Sequence, residues 1–251
     1  MKYNFSYYIV AFFYRLAYYL VRFLFFFYYR ISFEERENAP KGTAAIYASN
    51  HRSYLDPVLV AMAHPKPFNY IAKEYLFRVP VFGSFIRFMG AFPLSDEKKK
   101  DYNMLEEAER RLKKGRNLTI FPEGTRHTNG KVGRGKSGMC MLAAKSGKPV
   151  VPIGLVFDSN NFHFRSKICV RIGTPIYPAD YGLNESSTPH DVHAMKKVIM
   201  DEIHFLVEEN PPFPIVHDEP KKKTSVEIAK EKRKQERQAK VAENSTEQTE
   251  E

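Results

Sequence analysis

The sequence predicts an α/β domain with a mixed, largely parallel sheet flanked by helices, preceded by an N-terminal membrane-anchoring helical segment. Two observations carry the domain. Between residues 34 and 217, short apolar runs ending at polar, Gly- or Pro-containing segments alternate with helical patterns. No internal repeat interrupts that alternation. The third observation sets the ends apart: residues 1–33 are dense in Phe and Tyr, whereas residues 218–251 hold almost no large apolar side chain.

Taken in order, residues 1–33 carry two aromatic blocks, Tyr7 to Tyr14 and Phe23 to Tyr29. No uncharged run after Lys2 reaches the ~18 apolar residues of a membrane-spanning helix. Arg15 and Arg22, seven apart, share a helix face with Arg30 roughly alongside. A basic stripe beside a broad aromatic surface reads as an anchor lying in the membrane interface, its arginines reaching phosphate headgroups. A buried core helix is the alternative. A secretory signal peptide fits poorly, because the arginines break the apolar core and no small-residue cleavage site follows.

In the domain, Ala44 to Ala48, Leu118 to Phe121, Val150 to Phe157 and Ile168 to Ile172 are the strand candidates. Helices are expected over Tyr102 to Lys114, with Leu105, Ala108 and Leu112 on one stripe, over Gly138 to Lys145, and over His190 to Glu209. Residues 218–251 balance nine basic against nine acidic residues, which predicts a solvated helix or a disordered tail.

Composition narrows the function. At 251 residues the chain is long enough for one α/β domain or two small ones. Hydrophobic content of 43% with 27% charge excludes a wholly disordered chain. Cys140 and Cys169 cannot build a disulfide framework or a four-cysteine zinc site, and they point to a reducing compartment. The net charge of +10 calls for an anionic partner. Because the tail is neutral, that excess belongs to the anchor and the domain, which argues for lipid and against nucleic acid.

Two segments carry the chemistry. In Ser49-Asn50-His51-Arg52-Ser53-Tyr54-Leu55-Asp56-Pro57, directly after a strand candidate, His51 and Asp56 are five apart and would not pair along one helix. They meet if His51 lies in the strand-exit turn while Asp56 caps the next helix, with Pro57 at its first position. The carboxylate would then fix the imidazole tautomer and leave the other ring nitrogen to take a proton from a hydroxyl. Spacing alone also allows, and slightly favours, a helix cap and a turn histidine with no shared role. In Phe121-Pro122-Glu123-Gly124-Thr125-Arg126, Gly124 permits close backbone approach and Arg126 offers a planar fork for phosphate oxygens. Glu123 would orient Arg126 or bond a substrate hydroxyl, and an ordinary turn with a surface ion pair is the plainer alternative. His127 and His163 stand alone as surface histidines, and no metal-ligand spacing is present.

Together the segments resemble the His-x4-Asp and Glu-Gly-Thr-Arg motifs of the glycerolipid acyltransferase family, in the same order and at a similar separation. Val79-Pro80-Val81-Phe82-Gly83, Gly90-Ala91-Phe92-Pro93-Leu94 and Val150-Val151-Pro152-Ile153 resemble further family blocks, so the likeness runs over residues 35–180. It implies a single acyltransferase domain over residues 34–217 behind the anchor. It also implies transfer of a fatty acyl group from an acyl-coenzyme A or acyl carrier protein thioester to the 2-hydroxyl of 1-acyl-glycerol-3-phosphate. His51 and Asp56 would be catalytic, and Glu123, Gly124, Thr125, Arg126, Lys136 and Lys73 would bind substrate. No cofactor or metal is implied, the co-substrate being the thioester. The partners it implies are lysophosphatidate in the membrane and the thioester carrier, at the cytoplasmic face of the cell membrane. Another lysophospholipid acceptor, or an inactive lipid-binding scaffold, is the alternative. One departure stands out: where the family places an Arg after Gly-Ala-Phe-Pro-Leu, this chain has Ser95-Asp96, with Lys98, Lys99 and Lys100 beyond.

Overall fold

The computed structural model describes residues 5–64, 68–94, 101–160, 162–209 and 211–215. In chain order the elements are α1 (Phe5–Tyr28), β1 (Arg30–Glu34), β2 (Ile46–Ser49), α2 (Asp56–Met62), β3 (Phe68–Lys73), α3 (Phe82–Phe88), β4 (Ala91–Leu94), α4 (Asp101–Lys113), β5 (Asn117–Ile120), α5 (Gly138–Ser146), β6 (Val150–Phe157), β7 (Lys167–Ile172) and α6 (His193–Glu208). The charged tail, residues 218–251, and the Lys98 to Lys100 run lie outside the described residues.

One seven-stranded sheet, ordered β1-β7-β6-β2-β5-β3-β4, organises the domain. β6, β2, β5, β3 and β4 run parallel; β7 pairs antiparallel with β6, and β1 pairs parallel with β7. The sheet is therefore mixed and largely parallel, as the strand–helix alternation requires. Alternation along β2 splits the core between the two faces. Ile46 and Ala48 join Leu112, Leu142 and Ile203 from α4, α5 and α6, while Ala45 and Tyr47 join Leu59 and Val60 of α2 with Phe68. Gly154 in β6 fixes how closely α6 can lie: a Cβ there would come within 2.6 Å of Leu206 Cβ. Cys140 and Cys169 are free and buried.

Three strands were not among the sequence candidates. Arg30-Ile31-Ser32-Phe33-Glu34, assigned above to the end of the anchor, alternates polar and apolar residues and is the edge strand β1. β3 and β4 were hidden differently, since Asn69, Lys73 and Pro93 interrupt their apolar runs; Pro93 is tolerated because β4 is the opposite edge. Between them Pro80-Val81-Phe82 makes a tight turn closed by a 2.6 Å bond from Phe82 N–H to the Pro80 carbonyl. Val81 there sits at φ 62°, a conformation costing a β-branched residue on the order of 1–3 kcal/mol, and is 85% exposed.

Of the expected arginine stripe on α1, only Arg15 remains as an exposed cation on the helix. Arg22 donates to the Met62 carbonyl and to the Tyr18 hydroxyl and lies over the Phe26 and Phe33 rings, so it ties the helix to the domain. Arg30 lies beyond the helix, in β1. Beside Arg15, α1 presents an apolar stripe at helical spacing, formed by Leu16, Tyr19, Leu20, Phe23, Leu24 and Phe27, whereas Phe25 pairs with Tyr29 against the core. Among the described residues no helix is long and apolar enough to cross a membrane.

Candidate active site

The site forms where β2 and β5, neighbours in the sheet, release their chains at the same edge. Their register pairs Ile46 with Leu118 and Ala48 with Ile120, an offset of 72 residues, and the loops keep it. His51 N–H donates to Glu123 Oε1 at 2.9 Å, and Arg126 Nη2 donates to the Tyr54 hydroxyl at 2.9 Å, both across 72 residues. Parallel pairing alone thus sets the two motifs side by side.

Asp56 opens α2 with Pro57 behind it, yet it does not cap that helix, which corrects the cap expected from sequence. Its fully buried carboxylate turns back on the preceding loop. Oδ2 accepts from Arg52 N–H at 2.6 Å and Ser53 N–H at 2.8 Å, and lies 2.7 Å from His51 Nδ1. Among the described residues these N–H groups have no other acceptor, so the loop folds around the carboxylate. The hydrogen-bond network assigns the His51 proton to Nδ1, and Nε2 is then the basic nitrogen. The ring stacks on Phe121 at 4.1 Å, and its side chain remains 19% exposed. Among the described residues no Ser or Cys side chain bonds this ring.

Glu123 has a different task from either expected one. Oε1 holds the His51 N–H, while Oε2 accepts from Gly133 N–H at 3.1 Å and lies 3.2 Å from His127 Nε2. The carboxylate is buried, and burial holds its pKa above the usual range, partly opposed by these bonds. It neither pairs with Arg126 nor faces outward, so it positions the histidine loop. His127 is correspondingly no lone surface residue: its N–H also donates to the His51 carbonyl at 2.7 Å.

The remaining candidates divide. Arg126 is exposed, with its guanidinium 3.6 Å over the Tyr54 ring. Gly124 adopts φ 72°, where Gly is at no disadvantage, and Lys136 lies over it: a Cβ on Gly124 would meet Lys136 Nζ at 2.8 Å. The structure therefore brings Lys136 to the Glu-Gly-Thr-Arg segment, aided by a 2.8 Å bond from Lys136 N–H to the Pro122 carbonyl. Thr125 is exposed beside them. Lys73 ends β3 at the same sheet edge, exposed, and no hydrogen bond or ion pair joins its side chain to the motifs. His163 is apart from the site, bonded to Ser166. Among the described residues no cluster of three or more His, Cys, Asp or Glu side chains could hold a metal.

Sequence reasoning missed three contributors: Phe121 as the ring under His51, Tyr54 as the platform for Arg126, and Arg52. Arg52 is buried over the Phe157 ring and bonded to Asn160, and burial holds its pKa below the usual value against the pull of Asp56. The signal for Tyr54 was its place inside the His-x4-Asp segment; Asn160 is distant in sequence and carried none.

A histidine oriented by a carboxylate, at the C-terminal edge of the parallel strands and beside exposed cations, is an arrangement suited to taking a proton next to an anionic group. The chain belongs to the acyltransferase family: the family's sequence model, described as Acyltransferase, matches residues 30–156, a span that takes in both motifs and Lys136. It is 38% identical over 131 residues to the chloroplastic 1-acyl-sn-glycerol-3-phosphate acyltransferase LPAT1 of Arabidopsis thaliana, covering 51% of this chain and 36% of that one. It is 31% identical over 142 residues to the 1-acyl-sn-glycerol-3-phosphate acyltransferase of Borreliella burgdorferi, covering 56% of each. The chain thus spans about a third to just over a half of these relatives' lengths. Its fold is similar to the crystal structure of the 1-acyl-sn-glycerophosphate (LPA) acyltransferase PlsC from Thermotoga maritima, with TM-score 0.58 and 29% identity over 71% of both chains.

Proposed function

We propose that the chain transfers a fatty acyl group from a thioester to the 2-hydroxyl of 1-acyl-sn-glycerol-3-phosphate, giving phosphatidic acid at a membrane surface. The observation that carries this reading is the His51–Asp56 pair, with Nδ1 held at 2.7 Å and Nε2 left as the base. His51 Nε2 takes the acceptor's hydroxyl proton as its oxygen attacks the thioester carbonyl, and Asp56 balances the imidazolium. The tetrahedral intermediate collapses, and the same proton goes to the departing thiolate. No protein nucleophile is required, because the acceptor hydroxyl fills that role. Gly124 N–H already donates to the Phe121 carbonyl, and the N–H groups of Arg52 and Ser53 to Asp56. In this reading the Thr125 and Arg126 N–H groups of the motif, which donate to no other backbone group among the described residues, serve the oxyanion. Arg126 and Lys136 take the acceptor phosphate, with Lys73 on the outer rim. The intact network weighs against an inactive scaffold, which has no need of a buried carboxylate organised around one imidazole.

The exposed stripe on α1 supports an anchor that lies in the interface on the cytoplasmic face, where both the lipid acceptor and a coenzyme A or acyl carrier protein thioester are at hand. In this reading α1 is the anchor and the acyltransferase domain follows it in the chain. The test is direct: purified protein in detergent is given lysophosphatidate with acyl-coenzyme A or acyl carrier protein thioester, and products are identified by mass. Phosphatidic acid is expected. Preferential acylation of lysophosphatidylcholine or lysophosphatidylglycerol would reassign the acceptor, and no acylation of any of them would overturn the reading.

A further inference from the structure

Where α1 meets the sheet edge, a groove of about 380 Å³ is lined by Phe26, Tyr29 and Phe213 on its apolar side and by Arg30, Arg165 and Lys167 on its charged side. Parallel pairing of β1 with β7 makes Arg30 and Lys167 register partners, so their side chains leave the same face of adjacent strands. Arg165 joins them from the turn before β7. It is held at φ 68° by its N–H bond to the Tyr28 carbonyl at 2.7 Å, which ties that turn to the end of α1. Among the described residues none of the three cationic groups has an acidic partner, and no acidic side chain lines the groove. Three unpaired cations at one spot repel one another, an arrangement that a bound anion relieves.

We propose that this groove binds the phosphate headgroup of an anionic phospholipid, at a second site separate from His51. Its volume is at the small end of ligand sites, enough for a headgroup and not for whole acyl chains, which stay in the bilayer. The apolar wall continues into the exposed α1 stripe through Phe27, whose ring lies 6.2 Å from that of Phe164 beside Arg165. Headgroup in the groove and chains along the helix would fix the height and tilt of the domain on the membrane. An extended peptide added to the β1 edge is a poorer fit, because charged residues on a five-residue edge strand discourage pairing.

The inference rests on α1 lying at the bilayer, and the two can fail separately. The chain has no tryptophan, so Phe213→Trp places a single reporter in the groove. The full-length protein is mixed with vesicles of phosphatidylcholine alone or with phosphatidylglycerol, either lipid carrying bromine on its chains near the headgroup. Brominated phosphatidylglycerol should quench the tryptophan more strongly than brominated phosphatidylcholine in the same mixed vesicles. Arg30→Gln/Lys167→Gln should weaken partition onto the mixed vesicles by roughly thirtyfold, at about fivefold per juxtamembrane cation. The charge-matched Lys114→Gln/Arg116→Gln should change it far less. Activity on a short-chain, water-soluble lysophosphatidate should be the same in both pairs. Equal quenching by the two lipids, or equal losses in the two charge pairs, overturns the site. An emission shift with inorganic phosphate alone assigns the groove to the free anion and also overturns the lipid assignment. If the wild-type protein floats with neither vesicle, the membrane reading itself has failed.

Discussion

β2 and β5 deliver two loops to one edge of the sheet, and the loops are held to different standards. His51 is fixed at its side chain by Asp56 and the Phe121 ring, at its N–H by Glu123 and at its carbonyl by His127. Arg126, three residues beyond Glu123, touches Tyr54 and is otherwise exposed. The first arrangement leaves a base with almost no freedom to lose on reaching the transition state, which is where preorganisation lowers a barrier. The second leaves a cation free to follow an acceptor whose glycerol and acyl parts move in a membrane. Chemistry and recognition are therefore separable in this site, and each substitution should fall on one side of that division.

The sharpest test is His51→Ala. It removes the base and leaves the loop's backbone bonds in place, so kcat should fall by about 10²-fold or more while acceptor affinity and melting temperature hold. Near-normal turnover in a folded variant would end the assignment. Asp56→Asn comes next and should behave differently. The amide oxygen can take over the bonds that converge on Oδ2, but the negative charge facing the imidazole is lost and an NH2 group is buried at the Oδ1 place, where no partner meets it. A fall in kcat of about tenfold or more should therefore come with about 1–3 kcal/mol of lost stability, read by denaturant unfolding. Loss of activity with unchanged stability would mean that the negative charge serves the imidazole alone and is not needed to hold the loop.

How much of this was legible beforehand follows the same division. The motifs, α2, α4, α5 and α6 and the four central strand candidates were readable because each is a local pattern of apolar spacing or punctuation. β1 was not, because its alternation began inside a run of Phe and Tyr that dominated the N-terminal reading. The role of Glu123 was out of reach for another reason. It depends on the 72-residue register between β2 and β5, and register is a property of pairing that no local pattern states. The turned-back carboxylate of Asp56 was likewise misread, since Asp-Pro at a helix start is the ordinary signal of a cap.

Glu123→Gln sharpens the comparison from the positioning side. The amide keeps one acceptor and loses the other, so kcat should drop by several-fold to about tenfold with little change in KM, because His51 shifts and the phosphate cations do not. The pH dependence supplies a readout that a packing defect would not. Burial raises the Glu123 pKa above its reference of 4.5, so the native state holds this proton more tightly than the unfolded chain. Its contribution to stability is then greatest below 4.5 and declines as pH rises from there through the raised folded value. The stability of wild type minus that of Glu123→Gln, measured by urea unfolding across this range, should fall with rising pH and level off. A difference that rises with pH would mean that the His51 and Gly133 bonds outweigh burial.

The smallest effects belong to the recognition arm, and they test whether it is as loosely held as it looks. Arg126→Lys keeps the charge but loses the planar fork and the stacking on Tyr54, so the KM for lysophosphatidate should rise by about five- to tenfold, with kcat within about twofold. Thioester KM should be unaltered. Tyr54→Phe removes only the hydroxyl that accepts from Arg126 and retains the ring beneath the guanidinium. Its cost should be about one exposed hydrogen bond, a twofold or smaller rise in the same KM. If Tyr54→Phe instead lowered kcat as severely as Glu123→Gln, the tyrosine would be holding the His51 loop as well as Arg126. The two halves of the site would then move as one unit, since Tyr54 lies between His51 and Asp56 in the chain.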